Sequence, residues 1–116
     1  MISEFLIWDT DEDPYTGSTS EKLGAFVDRH RALIADGIQW NGDLAHLVGF
    51  TGGGGIAYID VLCLHHWGYG YSAINNWFTT IPTYSWSVMV LAHELGHNFG
   101  AHHTHSCVWS ETGYGD

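Results

Sequence analysis

Residues 93–103 read His-Glu-Leu-Gly-His-Asn-Phe-Gly-Ala-His-His, and this stretch carries the strongest chemical signal in the chain. His93 and His97 are four positions apart, so on a helix both imidazoles lie on one side, separated by about 6 Å along the axis. Two neutral imidazole nitrogens at this spacing can bind one Zn²⁺ ion. Glu94 projects to the side of this pair, where its carboxylate can take a proton from a water molecule at the metal.

The same stretch supplies a third candidate ligand, provided that the helix ends early. A helix continued beyond Gly100 would carry His103 well past His93 and away from the metal. Glycine adopts a positive φ easily, so Gly100 can end the helix and turn the chain back. His103 then completes a set of three histidine ligands with one open position, which is the arrangement typical of catalytic zinc.

The helix that carries this motif is predicted over residues 86–99, with Ser85 or Ser87 as its N-cap. The two motif histidines are expected on one face of it. Apolar residues recur at spacings of three and four, which predicts that the opposite face is buried in the core. These residues are Val88, Leu91, Ala92, Leu95 and Phe99.

Upstream, the sequence predicts one further helix and four strands. The helix spans residues 20–36, with a capping box from Ser18 to Glu21 at its start and Gly37 as its stop. The apolar or alternating patterns predict strands at 2–8, 43–50, 56–64 and 69–74. The four glycines at 52–55 are interpreted as a turn or strand entry where the backbone approaches another group closely. They are not interpreted as a phosphate-binding loop, because neither Lys-Ser nor Lys-Thr follows them.

The composition excludes several classes of protein. The chain has 116 residues, the size of one small domain spanning 1–116. Only 3 Lys and Arg stand against 13 Asp and Glu, and the formal net charge is -10, so neither nucleic acid nor an anionic membrane is expected as a partner. No apolar run reaches the ~18–20 residues of a membrane-spanning helix. With 2 cysteines the chain is not a disulfide scaffold, and Cys63 and Cys107 could be bridged, reduced or paired elsewhere.

The motif His93-Glu94-x-x-His97-x-x-Gly100-x-x-His103 resembles the signature of the metzincin clan of zinc endopeptidases. The wider sequence is similar to the reprolysin-like (adamalysin-type) branch of that clan, specifically to its bacterial M12B-like members. The matching segments lie at 8–15, 55–63, 92–100 and 103–105, so the resemblance spans nearly the whole chain.

This resemblance implies an α+β fold, with a twisted mixed β-sheet, one backing helix and an active-site helix beneath the sheet. It implies Zn²⁺ as the cofactor, held by His93, His97 and His103, and peptide-bond hydrolysis with Glu94 as general base. The protein is then expected to be secreted, with proteins or peptides as its substrates. The resemblance also implies that an edge strand above the cleft binds an extended peptide by β-augmentation. The residues of that strand are Gly55, Ile56, Ala57 and Tyr58.

The sequence departs from the family pattern after the third histidine. Metzincins have a methionine-containing turn beneath the zinc, whereas no methionine follows Met89 here and the sequence ends at Asp116. We therefore expect a truncated or minimal form of the catalytic domain, without the lower wall of the cleft. Thr104 stands where animal members commonly have Asp, so a contact that orients a ligand is expected to differ.

Other functions fit the same residues. A zinc-binding fragment without activity would keep the ligands but would be too incomplete to position a peptide. A binding module would hold a structural zinc and use its aromatic residues to bind a carbohydrate or a protein. Structural zinc usually has four protein ligands, so an open position would count against this alternative. A gluzincin-type peptidase would need a distant Glu ligand and would leave Gly100 and His103 without a role.

The remaining polar groups are interpreted as structural. The acidic run at 9–13 is interpreted as a solvated turn, because Pro14 stands where an EF-hand calcium loop needs Gly. The histidines at 65–66 are assigned to a solvated loop, since no further ligands follow at metal-binding spacing. His30 and His46 are expected to be half-buried near the surface.

Overall fold

The structure is a computed structural model, and it describes residues 12–64, 66–75 and 85–103. The described elements follow one another as α1 (Thr19–Ala35), β1 (Ala45–Gly49), β2 (Gly55–Ala57), β3 (Tyr69–Ala73) and α2 (Trp86–Asn98). Two helices and a mixed sheet make this an α+β fold, as predicted. The strand predicted at 2–8 lies outside the described residues. Neither helix is long and apolar enough to cross a membrane.

Helix α1 begins and ends within one residue of its predicted bounds of 20 and 36. The Ser18 side chain accepts a hydrogen bond from the backbone N–H of Glu21, and the Glu21 carboxylate accepts one from the backbone N–H of Ser18 at 2.8 Å. This reciprocal pair is a capping box, which pairs two N–H groups that the first turn would otherwise leave unpaired. Beyond the C-cap, Gly37 takes a φ of 96° and turns the chain away from the helix axis.

The three strands form one mixed sheet in the order β1-β3-β2. Strand β1 pairs in parallel with β3, so that Leu47 lies opposite Tyr71. Strand β2 pairs in antiparallel orientation with β3, and Ile56 lies opposite the same tyrosine. All five residues of the central strand β3 are buried, because a helix covers each face of the sheet.

The hydrophobic core lies between α1 and the sheet face that carries the odd-numbered residues of β3. Tyr69, Tyr71 and Ala73 are each at most 2 % exposed and belong to one cluster with the apolar face of α1. Phe26 contacts Tyr69 edge-to-face, with ring centroids 6.0 Å apart. The other members of the cluster are Tyr15, Leu23, Val27, Ala45 and Leu47.

Strand β2 is shorter than the predicted strand at 56–64, since it ends at Ala57. Asp60 and Cys63 have φ values of 56° and 65°, which no extended strand allows. The backbone N–H groups of Asp60 and Val61 turn instead toward α2, where they donate to the carbonyls of His97 and Asn98, each at 3.0 Å. These bonds pair carbonyls at the C-terminal end of α2. After Ala57 the chain therefore leaves the sheet and contacts that end of the helix.

The face that α2 buries is not the one that its apolar spacing predicts. Val88 is 68 % exposed and Phe99 is 61 % exposed, Ala92 is also exposed, and Leu91 and Leu95 are half-buried. The residues of α2 that are buried are Val90, Glu94, His97 and Asn98. The sheet face beneath α2 explains this difference, because it carries small or polar residues such as Gly55, Gly70 and Ser72 and accommodates polar side chains.

Candidate metal centre

Helix α2 carries most of the site, and its first turn is fixed to the end of β3. Ser85 is the N-cap, and its side chain accepts a hydrogen bond from the backbone N–H of Val88. The indole Nε1 of Trp86 donates to the carbonyl of Ala73 at 3.0 Å. Ser87 Oγ donates to the carbonyl of Asn75 at 3.0 Å. These bonds fix where α2 starts relative to the sheet.

The other end of α2 is fixed by Asn98, which is fully buried. Its Nδ2 donates to the carbonyl of Tyr58 at 2.8 Å and to the carbonyl of Tyr69 at 3.1 Å. One side chain therefore holds the helix against two neighbouring strands. Asn98 is adjacent to His97, so these bonds also limit how far that imidazole can move.

The helix ends at a glycine with positive φ, as predicted. Gly100 has a φ of 92°, and its N–H donates to the carbonyl of His97 at 2.9 Å. The N–H of Ala101 donates to the carbonyl of Gly96, also at 2.9 Å. This pair of bonds is the Schellman motif, which reverses the chain at a helix C-terminus. The reversal brings His103 back beside the two histidines of the helix.

The three histidine side chains converge on one point. The Nε2 atoms of His93, His97 and His103 are each 3.1 Å from the other two. A single point about 2.0–2.1 Å from all three atoms, which is the length of a zinc–histidine bond, lies about 1 Å off their plane. The three residues therefore form a group that can hold a metal ion. His97 is 8 % exposed while His93 and His103 are exposed, so one side of the group is open in the part of the chain that the structure describes.

The tautomer of His97 suits a metal ligand. Its Nδ1 lies 2.6 Å from the carbonyl oxygen of Ala101, and a carbonyl can only accept, so Nδ1 carries the proton. The lone pair of the neutral ring is then on Nε2, which points into the histidine group. Hydrogen bonds of this kind orient ligating histidines in metal proteins.

Glu94 lies beside the histidine group and is only 4 % exposed. Burial raises the pKa of its carboxyl group, while the neighbouring His97 acts in the opposite direction. The side chain packs directly under the glycine run. A Cβ atom built on Gly55 would lie 2.5 Å from Glu94 Cγ and 2.6 Å from Oε1. The predicted close approach of backbone at 52–55 is thus an approach to the Glu94 side chain.

Among the described strands, β2 is an edge strand of the sheet, and it lies beside this carboxylate. Tyr58 N donates to the carbonyl of Tyr69 and Gly54 O accepts from the N–H of Ala73, so the backbone groups of Gly54 and Tyr58 face β3. Backbone groups alternate in direction along a strand, so those of Ile56 also face β3 while those of Gly55 and Ala57 face away from it. Of the four predicted substrate residues, Gly55 and Ala57 therefore offer N–H and C=O groups at the cleft.

Two cavities open beside Glu94, one toward each end of α2. The first is about 360 Å³ in volume and lies toward the C-terminal end of α2. Its lining comprises Ile56, Ala57, Ile59, Glu94, His97, His102 and His103. The second is about 290 Å³ in volume and lies toward the start of α2. Its lining comprises Gly54, Gly55, Trp86, Met89, Val90, His93 and Glu94.

The predicted site residues come together, and the structure adds others that the motif does not contain. Asn98 holds the end of the helix, and the carbonyl of Ala101 accepts a hydrogen bond from His97. The sequence could have indicated Asn98, because it is a polar residue next to a predicted ligand. It could not have indicated the carbonyl of Ala101, because every residue has a backbone carbonyl. Cys63 is exposed and is not bonded to any described cysteine, and Cys107 lies outside the described residues.

A group of three histidines beside a buried carboxylate is typical of zinc-dependent hydrolases. The chain matches the family described as Metallo-peptidase family M12B Reprolysin-like over residues 1–104. This match covers most of the sequence, and the chain therefore belongs to the reprolysin-like metallopeptidases of family M12B. It confirms the resemblance inferred from the motif. No solved structure matches the chain at a significant level.

Proposed function

We propose that this chain is a zinc-dependent endopeptidase that hydrolyses peptide bonds with Glu94 as its general base. The observation that carries the proposal is the site geometry. Three Nε2 atoms lie 3.1 Å from one another on an open site, and the one buried carboxylate of α2 lies beside them. An open fourth position favours a catalytic over a structural zinc, which usually has four protein ligands.

His93, His97 and His103 would hold the zinc ion, which would supply Lewis-acid chemistry that polarises the scissile carbonyl and makes water more acidic. Glu94 accepts the proton of the attacking water and transfers it to the leaving amine. Burial raises the pKa of this carboxyl group, which makes its carboxylate a stronger base than an exposed one. Asn98 and the carbonyl of Ala101 hold the His97 ring in place while this proton moves.

The substrate is an extended peptide that pairs with the free edge of β2. Gly55 and Ala57 would exchange backbone hydrogen bonds with it, which aligns the scissile bond without reading its side chains. Side chains on either side of that bond would enter the two cavities beside Glu94. The lining of both cavities includes several apolar side chains, such as Ile56, Ile59, Met89 and Val90, so apolar residues are the expected preference. The protein would be secreted, as suits a peptidase of this family that acts on external proteins.

The test is cleavage of a mixed library of unfolded peptides by the zinc-loaded protein, with products identified by mass spectrometry. The matched control is Glu94→Gln, which keeps the shape of the side chain but cannot accept the proton. Loss of a general base lowers rates by about 100- to 10,000-fold, so the variant should leave the library nearly intact. It should still bind zinc, because it keeps the three histidines. Wild-type protein that binds one zinc and makes no cuts would show an inactive zinc-binding chain instead.

A further inference from the structure

Lys22 is a charged residue in the interior of the protein. It lies in the first half of α1 and is 4 % exposed. The same helix carries two other cations, Arg29 and Arg31. Burial of an ammonium group is unfavourable unless hydrogen bonds replace its hydration. The residues that supply those bonds therefore indicate what this side chain holds in place.

The partners of Lys22 lie at the start of the glycine run. Its Nζ donates to the carbonyl of Thr51 at 2.9 Å and also contacts Thr51 Oγ1. The hydroxyl of Tyr71 donates to the same carbonyl at 2.5 Å. The ammonium lies 5.5 Å from the centroid of the Tyr71 ring, within the range of a cation–π interaction. One carbonyl thus receives two donors, one from a helix and one from the central strand.

The segment that follows Thr51 needs such an attachment. Gly52 and Gly54 have φ values of 103° and 81°, and glycines impose little conformational restriction of their own. Four residues after Thr51, this segment enters β2 at Gly55, where backbone packs against the Glu94 side chain. A loose start of the run would therefore let β2 shift relative to Glu94.

The geometry points to Lys22 as a positioning residue of the substrate cleft. Its hydrogen bonds to Thr51 fix the start of the glycine run, and this sets the position of β2 over Glu94. The inference rests on the proposed peptidase function for its effect on substrate, but the attachment itself is a property of the protein without substrate. Both parts can be measured separately.

The test is Lys22→Met, which keeps the length of the apolar stem and removes the ammonium. Arg29→Met is the matched control, because it makes the same change of charge at an exposed position of the same helix. The first readout is amide hydrogen exchange of residues 52–57 on the substrate-free protein. Exchange there should become about tenfold faster in Lys22→Met and stay unchanged in Arg29→Met, while β3 keeps its protection.

The second readout is steady-state cleavage of a peptide substrate. KM should rise about tenfold in Lys22→Met with kcat changed less than threefold and zinc content unchanged, since the variant disturbs the strand that binds the peptide. A purely structural loss would instead lower the amount of active protein without moving KM. If wild type cleaves nothing, the peptidase proposal fails, and the exchange result alone then decides whether Lys22 holds the glycine run.

Thr51→Val provides a second variant in case Lys22→Met does not fold. It removes Oγ1 from an exposed side chain and leaves the Thr51 carbonyl in place. Faster exchange confined to 52–57 would support the inference. Exchange equal to wild type in the folded variants, or a uniform increase that includes β3, would overturn it.

Discussion

The Glu94 side chain occupies the space that a Cβ atom on Gly55 would need. The Cβ of an alanine at position 55 would lie 2.5 Å from Glu94 Cγ, well inside van der Waals contact. Glycine at 55 is therefore required by the position of the Glu94 side chain. The sequence indicated a close approach at the glycine run, but it could not indicate which group is approached, because that depends on how α2 packs.

We expect Gly55→Ala to displace the Glu94 carboxylate and lower kcat/KM by about 100-fold, the usual effect of a misplacement of about 1 Å. Zinc content should not change, since the three atoms nearest to a Cβ at this position all belong to Glu94. The measurement is kcat/KM on a peptide cleaved by wild type, together with zinc stoichiometry.

Gly53→Ala is the control for this change. A Cβ on Gly53 meets no atom within 4 Å, so the same substitution two positions away should leave kcat/KM within about twofold of wild type. Equal activity of both variants would show that the Gly55–Glu94 contact does not position the carboxylate.

The end of α2 depends on Gly100, and the sequence predicted this correctly. The prediction succeeded because it rests on a local rule: three ligands at these offsets can meet only if the helix stops and reverses. The hydrogen bonds of Gly100 and Ala101 to the helix carbonyls provide that reversal. A motif with local geometry is thus readable from the sequence.

Gly100→Ala should therefore weaken metal binding. A side chain at a φ of 92° costs about 1–2 kcal/mol, and relief of this strain moves His103, so zinc affinity should fall by roughly tenfold. Gly96→Ala is the control in the same helix, because its Cβ would make only an ordinary contact with Ala101 at 3.8 Å. Competition with a chromophoric chelator measures both affinities. Equal zinc affinity in the two variants would contradict the role of the turn.

The burial of α2 was predicted wrongly, and the reason lies outside the helix. Apolar spacing predicts the buried face only when the opposing surface is apolar. The sheet face beneath α2 instead offers the carbonyls of Tyr58 and Tyr69 to Asn98, and backbone at Gly55 to Glu94. Strand β2 was predicted too long for a related reason, since the residues after Ala57 bond to the end of α2. Non-local partners of this kind leave little trace in the local sequence.

Across the whole molecule, stability should depend on pH through His46. Its Nε2 lies 2.9 Å from Ser72 Oγ, and its Nδ1 is enclosed without a hydrogen-bond partner among the described residues. Burial lowers the pKa of this imidazole from 6.5 to about 4. The sequence indicated a half-buried histidine but not this enclosure, because the covering residue Gly70 belongs to a distant strand.

The direction of the effect follows from the two pKa values. Below pH 6.5 the unfolded chain binds a proton at His46 that the folded protein excludes, so stability falls as pH drops from about 6.5 to 4. At about 1.4 kcal/mol for each unit of pKa, the full loss is about 3 kcal/mol. His46→Gln should remove this part of the pH dependence, and His66→Gln, in an exposed loop, should retain it. Urea unfolding at pH 7 and pH 4.5 with a chelator present measures the difference, and parallel pH profiles of wild type and His46→Gln would refute the assignment.

We propose that three histidines hold one zinc ion and leave a fourth position open for chemistry. X-ray absorption at the zinc edge of the zinc-loaded protein tests this arrangement, because it counts and identifies the ligands. We expect three imidazole nitrogens at about 2.0–2.1 Å and one further light atom from solvent, with the imidazole signal reduced in His97→Ala. A sulfur ligand near 2.3 Å or a fourth protein nitrogen would instead define a closed structural site and would contradict a catalytic zinc centre.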